Sequence, residues 1–317
     1  MKRWLVGALA ALLSLSALAQ FPDRPLRIIV PLPPGGSPDT IARTLAQHLQ
    51  GTWNQPVVVE NRTGGSQNIG ADAVAKSAPD GYTWLLAPDN VFVTNPYIAK
   101  ATTFDPLTDL QPVTQLARIQ FLLVVPASLP VNSVQELIAY AKAHPNELNV
   151  GSSGNGSPQH LSAALLQLLG GIKMNHVPYK GAAPAVQDLL PGRIQVWIGA
   201  ANSLLPHIRE GKLKLLGSTA PQRFANLGNT PAIGETLPGY SVDPWLGLFM
   251  PAKVPADVLN KVNAEVARVL GSADVKAKLA PQGIELVTNS PDEFAKFIQA
   301  EHVKWGKVIK EANIRGE

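Results

Sequence analysis

Cysteine is absent from the 317 residues. That excludes a disulfide framework, a thiolate nucleophile, a thiolate metal site and a lipid-modified N-terminal cysteine. Charge is sparse: Asp, Glu, Lys and Arg make up 16% of the chain, with a formal net charge of +4 and no basic run. A nucleic-acid partner needs clustered Lys and Arg to displace counterions, so none is expected. No apolar run reaches the roughly 20 residues of a membrane span. Catalytic signatures are missing as well. There is no G-x-x-x-x-G-K-[ST], no G-x-G-x-x-G in register with a strand and helix, no G-x-S-x-G elbow and no H-E-x-x-H. His207-Ile208-Arg209-Glu210 lacks the second histidine of a zinc helix, and Ser152 and Ser153 have no evident base. The sequence therefore predicts neither an enzyme nor a metal or cofactor site.

What is present begins with Lys2 and Arg3, an apolar stretch from Trp4 to about Leu15, and Ala17-Leu18-Ala19 before Gln20. This is the pattern of a secretory signal cleaved near Ala19, with residues 1–19 removed. Losing Lys2 and Arg3 brings the formal net charge to +2. A mature chain of this length exceeds what one core usually serves, so two lobes are expected.

Apolar β-rich runs alternate with helical spacing. Arg27–Val30, Val57–Val59, Tyr82–Leu86, Phe121–Val125, Ile194–Ile198 and Leu213–Leu216 read as strands. Thr40–Leu49, Ile69–Ser77, Ser133–His144, Gln159–Leu169 and Ser203–Glu210 read as helices. The alternation predicts an α/β fold with mainly parallel sheets. After Trp245–Phe249 the pattern turns helical: Ala256–Leu270, then a long helix opened by the capping box Ser290/Glu293 with Pro291 at its first position.

One internal echo stands out. Gly36-Ser37-Pro38-Asp39-Thr40-Ile41 recurs as Gly156-Ser157-Pro158-Gln159-His160-Leu161, each time after a Gly-rich loop and before an amphipathic helix. In each copy the serine can be the N-cap and the proline the first helical residue, while upstream glycines let the backbone approach a ligand closely. The first turn of a helix leaves N–H groups unpaired and carries about half a positive charge, so a carboxylate is stabilised there without a lysine. Hydrogen bonds to a charged group contribute about 1.5–3 kcal/mol each, and micromolar affinity needs about 8 kcal/mol beyond the cost of immobilisation. One such loop is too little. Two on different lobes would make the ligand the element that holds the lobes together. Each loop also has a plainer reading as a well-capped strand-to-helix turn.

The ordered set Pro22-Asp23-Arg24-Pro25, Val30-Pro31-x-Pro33-Pro34-Gly35-Gly36-Ser37-x-Asp39, Val57-Val58-Val59-Glu60-Asn61-Arg62, Ala78-Pro79-Asp80-Gly81-Tyr82-Thr83, Gly151 to Ser157 with His160-Leu161, and His176-Val177-Pro178-Tyr179-Lys180-Gly181 resembles the Bug family of periplasmic solute receptors. These TctC-like proteins serve tripartite tricarboxylate transporters. The resemblance spans the whole mature chain.

It implies a type II periplasmic-binding-protein fold: two α/β lobes, two crossing hinge strands and a ligand cleft. Lobe one would comprise residues 21–122 plus 244–317, and lobe two residues 123–243. The implied function is capture of a small organic carboxylate by cleft closure and delivery to the transporter's membrane subunits. A periplasmic ligand-sensing protein feeding a sensor kinase is the alternative. Either way the chain is expected to be periplasmic and monomeric, without cofactor.

The carried-over motifs nominate Pro33, Gly35, Gly36, Ser37 and Asp39 on lobe one, and Ser153, Asn155, Gly156, Ser157, His160, Tyr179 and Lys180 on lobe two. Asn90, after a lobe-one strand, falls where the family's next ligand loop lies. Asp39 would repel a carboxylate and reads equally as a favourable charge in a helix first turn. His160 reads equally as a structural histidine, Lys180 as a solvated residue and Tyr179 as core. Two departures concern specificity: Leu32 stands where the family usually has Phe, and Gly199 where relatives commonly have Asp or Asn. Both predict a roomier, more apolar pocket and a bulkier ligand, such as an aromatic or branched monocarboxylate.

Overall fold

Alternation at the strand period sets the layers. The computed structural model describes residues 21–99, 102–224 and 227–315; the expected signal segment lies outside the described residues. In β1 (Leu26–Val30), Leu26, Ile28 and Val30 pack on one face of a sheet and Ile29 on the other, all buried. A strand buried on both faces needs helices on both sides, and the rest of the chain supplies them.

The strands β1, β2 (Val57–Asn61), β3 (Thr83–Pro88) and β4 (Leu110–Ile119) form the first sheet. The second holds β5 (Phe121–Pro126), β6 (Asn149–Ser152), β7 (Asn175–Pro178), β8 (Val196–Ala200) and β9 (Leu213–Ser218). The chain then returns to the first sheet as β10 (Trp245–Pro251) and β11 (Ile284–Leu286). The strand orders are β11-β4-β10-β3-β1-β2 and β7-β6-β8-β5-β9.

The expectation of mainly parallel sheets needs correction. β1 is parallel to β2 and β3, and β6 is parallel to β7 and β8. The strands that cross between sheets enter running the other way, so β10 pairs antiparallel with β3 and β4, and β5 with β8 and β9. The region after β10 is not all helical either, because β11 returns to the sheet edge beside β4. The expected lobe boundary after Leu122 falls inside β5, where Phe121 and Leu122 pair with Ala200 and Gly199 of the second sheet.

The helices are α1 (Ser37–Trp53), α2 (Asn68–Ala75), α3 (Asn90–Val93), α4 (Asn95–Ile98), α5 (Val134–Ala143), α6 (Pro158–Gly170), α7 (Ala182–Leu189), α8 (Ala201–Arg209), α9 (Ile233–Thr236), α10 (Ala256–Gly271), α11 (Ala273–Leu279) and α12 (Pro291–Glu311). Ile41, Leu45 and Leu49 of α1 and Val262, Val266 and Val269 of α10 cover one face of the first sheet. Phe294, Ile298, Trp305 and Ile309 of α12 join the core on the other face, which continues without a break into Leu123, Val125 and Ile198 of the second sheet. The Ser290/Glu293 capping box forms as expected.

The two chain crossings run side by side. Ile119 N–H donates to Pro244 O at 2.8 Å, and Arg118 Nε lies 3.1 Å from Asp243 Oδ2. Between β4 and β5, the Gln120 N–H donates to Gly283 O at 3.1 Å while its carbonyl accepts the Ala201 N–H at 2.8 Å. A cavity of about 570 Å3 opens beside this crossing, lined by Arg118, Gln120, Asp243 and Glu285 and by Gln222 and Phe224 beyond β9.

Candidate functional site

Parallel strands send their C-terminal ends to one edge of a sheet, where loops and helix openings gather and open α/β folds take their ligands. β1, β2 and β3 deliver residues 31–36, 62–67 and 89 to such an edge; β6, β7 and β8 deliver 153–157, 179–181 and the start of α8.

The first loop is fastened from within. Buried Asp39 accepts the Gly35 N–H and Arg43 Nε on Oδ2, each at 3.0 Å, and Asn61 Nδ2 on Oδ1 at 3.0 Å; Asn61 Nδ2 also donates to Leu32 O. The Arg43 hydrogen bond, first among these, holds the Asp39 carboxyl below its ordinary range. Both Asp39 oxygens are thereby spent on the loop, and its nomination as a ligand contact becomes a positioning role. Ser37 is not the N-cap expected: Gly36 caps α1 in an extended conformation with no side-chain bond, and Ser37 is the first helical residue. Asp39, in the first turn, instead reaches back to the Gly35 N–H and ties the loop to the helix without capping it. Pro33, Gly35 and Gly36 are exposed, and among the described residues the N–H groups of Gly36 and Ser37 make no hydrogen bond. They are the open donors of this helix start.

The second loop closes on itself. Ser157 is the N-cap of α6, its Oγ accepting the His160 N–H at 3.3 Å, with Pro158 first in the helix as expected. Gly156 is buried at φ +72° and donates its N–H to His160 Nδ1 at 3.2 Å. That bond makes Nδ1 an acceptor and places the ring proton on Nε2. Ser152, fully buried, donates to Gly154 O at 3.0 Å, so His176 Nε2, 2.6 Å from Ser152 Oγ, is the donor to it. Burial, with a contribution from His176, pushes His160 down to about 4, and burial lowers His176 as well. Both imidazoles are neutral at pH 7.

Ser153 is half-buried and Asn155 exposed beside these groups. Tyr179 belongs to the loop through its backbone, its N–H donating to Ser152 O at 2.9 Å, but its hydroxyl donates to Asp188 Oδ2 on α7. The phenol therefore serves α7. Lys180 is exposed and has no ion pair among the described residues.

The structure brings the second loop onto the first sheet's side of the cleft. A Cβ on Gly156 would run into Ile98 Cδ1 and lie 3.0 Å from Thr94 Cγ2, so this loop seats on α4. Asn90, on the adjoining α3, is buried and donates to Gln67 Oε1; Asn95 donates to Ser66 O at 2.7 Å and Asn68 Oδ1 at 2.8 Å. Gly70, in turn, backs onto Pro31 of the first loop. Sequence reasoning missed Gln67, Thr94, Asn95 and His176; only the Gly64-Gly65 pair ahead of Gln67 and the His176 motif offered a signal. Neighbouring Asp89 is buried, and burial, reinforced by Glu301, pushes it up to about 7.

The expected room at Gly199 is not there. The fully buried Trp197, two residues back on the same strand face, lies over it: a Cβ on Gly199 would run into the indole Nε1 and lie 2.8 Å from Cε2. Leu32 packs against the first sheet's core rather than standing free. Among the described residues no three His, Cys, Asp or Glu gather as metal ligands, and no helix is long and apolar enough to cross a membrane.

A family model described as the tripartite tricarboxylate transporter family receptor matches residues 41–314. The chain belongs to this receptor family. Protein BugT of Bordetella pertussis is 36% identical over 297 residues, covering 93% of this chain and 91% of that protein. A Rhodopseudomonas palustris protein solved with adipate superposes with TM-score 0.82 at 36% identity, covering 94% of this chain and all of that one. MatC of the same species, solved with bound malate, gives 0.77 at 31% identity over 91% of this chain and 100% of its own. The receptor is thus a solute-binding protein of the periplasmic, two-lobed kind and not an enzyme.

Proposed function

We propose that the receptor captures a small organic carboxylate between its two sheets and hands it to the membrane subunits of a tripartite tricarboxylate transporter. The observation that carries this reading is the seating of Gly156 on Thr94 and Ile98, which joins the second loop to the edge where the first loop leaves its amides open. The donors there are neutral: backbone N–H groups, amide side chains and the Nε2–H of an uncharged His160. Such groups hold an anion without a buried lysine or arginine. The adipate and malate held by the two R. palustris relatives support the same ligand class.

In this reading the lobes meet at Gln120 and near Pro244, the second loop moves with the second sheet, and the ligand contributes the free energy that favours the closed form. The loop residues Pro33, Gly35, Gly36, Ser37, Asn90, Ser153, Asn155, Gly156, Ser157 and His160 line the cleft. Tyr179 and Lys180 stand at its margin, and Asp39 holds the first loop in shape. Export follows cleavage near Ala19, and the receptor works as a monomer without cofactor.

Calorimetry of the mature protein against adipate, malate, succinate, hexanoate, butyrate and benzoate tests the ligand class, and small-angle scattering with and without the tightest of them tests closure. Saturable binding of at least one acid with a smaller radius of gyration is the expected result. Failure of all six to bind removes the carboxylate reading.

A further inference from the structure

Four consecutive residues between β2 and α2 sit at positive φ: Gly64 at +116°, Gly65 at +55°, Ser66 at +51° and Gln67 at +74°. Glycine takes such angles freely, whereas an L side chain does so against its own Cβ. A connection between a strand and a helix has no need of glutamine in that position. Such residues persist where their surroundings over-determine them, and they cluster at sites of function.

Here the surroundings are two buried asparagines. Asn95 fixes the turn through Ser66 O and Asn68 Oδ1, and Asn90 donates its carboxamide N–H to Gln67 Oε1. The Gln67 carbonyl is thereby committed, and its Nε2 keeps two donors with no partner among the described residues. The turn lies at the C-terminal end of parallel strands, with Gly70 just beyond it against Pro31 of the first loop and Asn90 leading into α4, where Gly156 is seated. Thr94 adds a buried hydroxyl with no partner among the described residues. The groups that hold Gln67 are all neutral amides.

We propose that Gln67 is a specificity-determining residue of the cleft, its carboxamide N–H groups reading a second acceptor oxygen on the ligand, carboxylate or hydroxyl, beyond the carboxylate held at the loop openings. This rests on the receptor reading above. It makes a bifunctional acid the preferred ligand over a monofunctional acid of the same carbon skeleton, in place of the apolar monocarboxylate expected from Leu32 and Gly199.

The test compares the mature protein with Gln67→Gly, which suits the positive φ, and with Gln67→Leu, which keeps a side chain without donors. Thermal melts and calorimetry are run on two matched pairs, adipate with hexanoate and succinate with butyrate. The wild type is expected to favour the bifunctional member of at least one pair. Both variants should lose about tenfold of that preference, the worth of one hydrogen bond to a charged group, with monofunctional binding unchanged. Gln67→Gly should melt no lower than the wild type. A preference that survives in both variants overturns the proposal, as does a wild type that favours the monofunctional acids or a common loss of affinity for every acid with a lowered melt. If the wild type binds none of the four, the carboxylate reading itself has failed.

Discussion

The imidazoles of His160 and His176 lie face to face, with ring centroids 3.7 Å apart and planes 10° from parallel. Two charged rings cannot share that arrangement, and burial already disfavours charge on each. Between pH 6.5 and about 4 the unfolded chain binds a proton at His160 that the folded chain refuses. Stability therefore falls as pH drops through that window, by up to about 3 kcal/mol. His160→Asn keeps an acceptor for the Gly156 N–H and removes the titration. Urea unfolding at pH 7, 5.5 and 4.5 should show a flatter pH profile for this variant; parallel profiles would contradict the neutral pair.

Asp89 works with the opposite sign. Its carboxyl is held near 7 by burial, so the folded chain keeps a proton that the unfolded chain releases above pH 4. Stability is lost as pH rises from about 4 to 7, and the loss persists above that. Asp89→Asn should raise stability at pH 8 on the order of 2–4 kcal/mol and leave it nearly unchanged at pH 4. Chemical denaturation at the two pH values measures the difference.

Gly156→Ala places a methyl group against Ile98 on a backbone at φ +72°. The left-handed angle alone costs about 1–2 kcal/mol, and the collision adds to it. Ile98→Ala removes the collision but not the angle, so the double variant should recover part of the loss. Strict additivity in this double-mutant cycle would mean that the loop and α4 do not touch.

Asp39→Ala strips three donors of their acceptor at once. A melt lowered by the equivalent of about 2 kcal/mol is expected, together with faster amide exchange at Gly35, because the Gly35 N–H loses its partner. Asp39→Asn should fall in between. Unchanged exchange at Gly35 would show that the first loop holds its shape without this carboxylate.

Where local rules decide, the sequence was readable. Ser157 and Ser290 cap their helices as their spacing implies, and β1, β2, β5 and β9 lie where apolar runs place them. β4 was hidden because its middle is polar: the buried Thr114 hydroxyl and the Gln115 backbone N–H bond Asn289, far along the chain. Ser37 falls one position inside α1, whose start at Gly36 has no side-chain cap, and the loop before it is tied by Asp39, itself held by Asn61 from the neighbouring strand. His176 gives no periodic signal, since its partner Ser152 lies on the adjacent strand β6. Gly199 looked like an opening because sequence offers no view of where a tryptophan two positions earlier folds its ring.

The paired crossings at Ile119 and Pro244 have a mechanical consequence. Two strands bonded edge to edge resist shear and twist more than bending across their flat direction, so a bend is the motion these crossings favour. The cavity behind them has its walls on opposite sides of that bend. Under the closure proposed above its size would change, and a dye lodged there would then act as a gauge of ligand occupancy without touching the cargo.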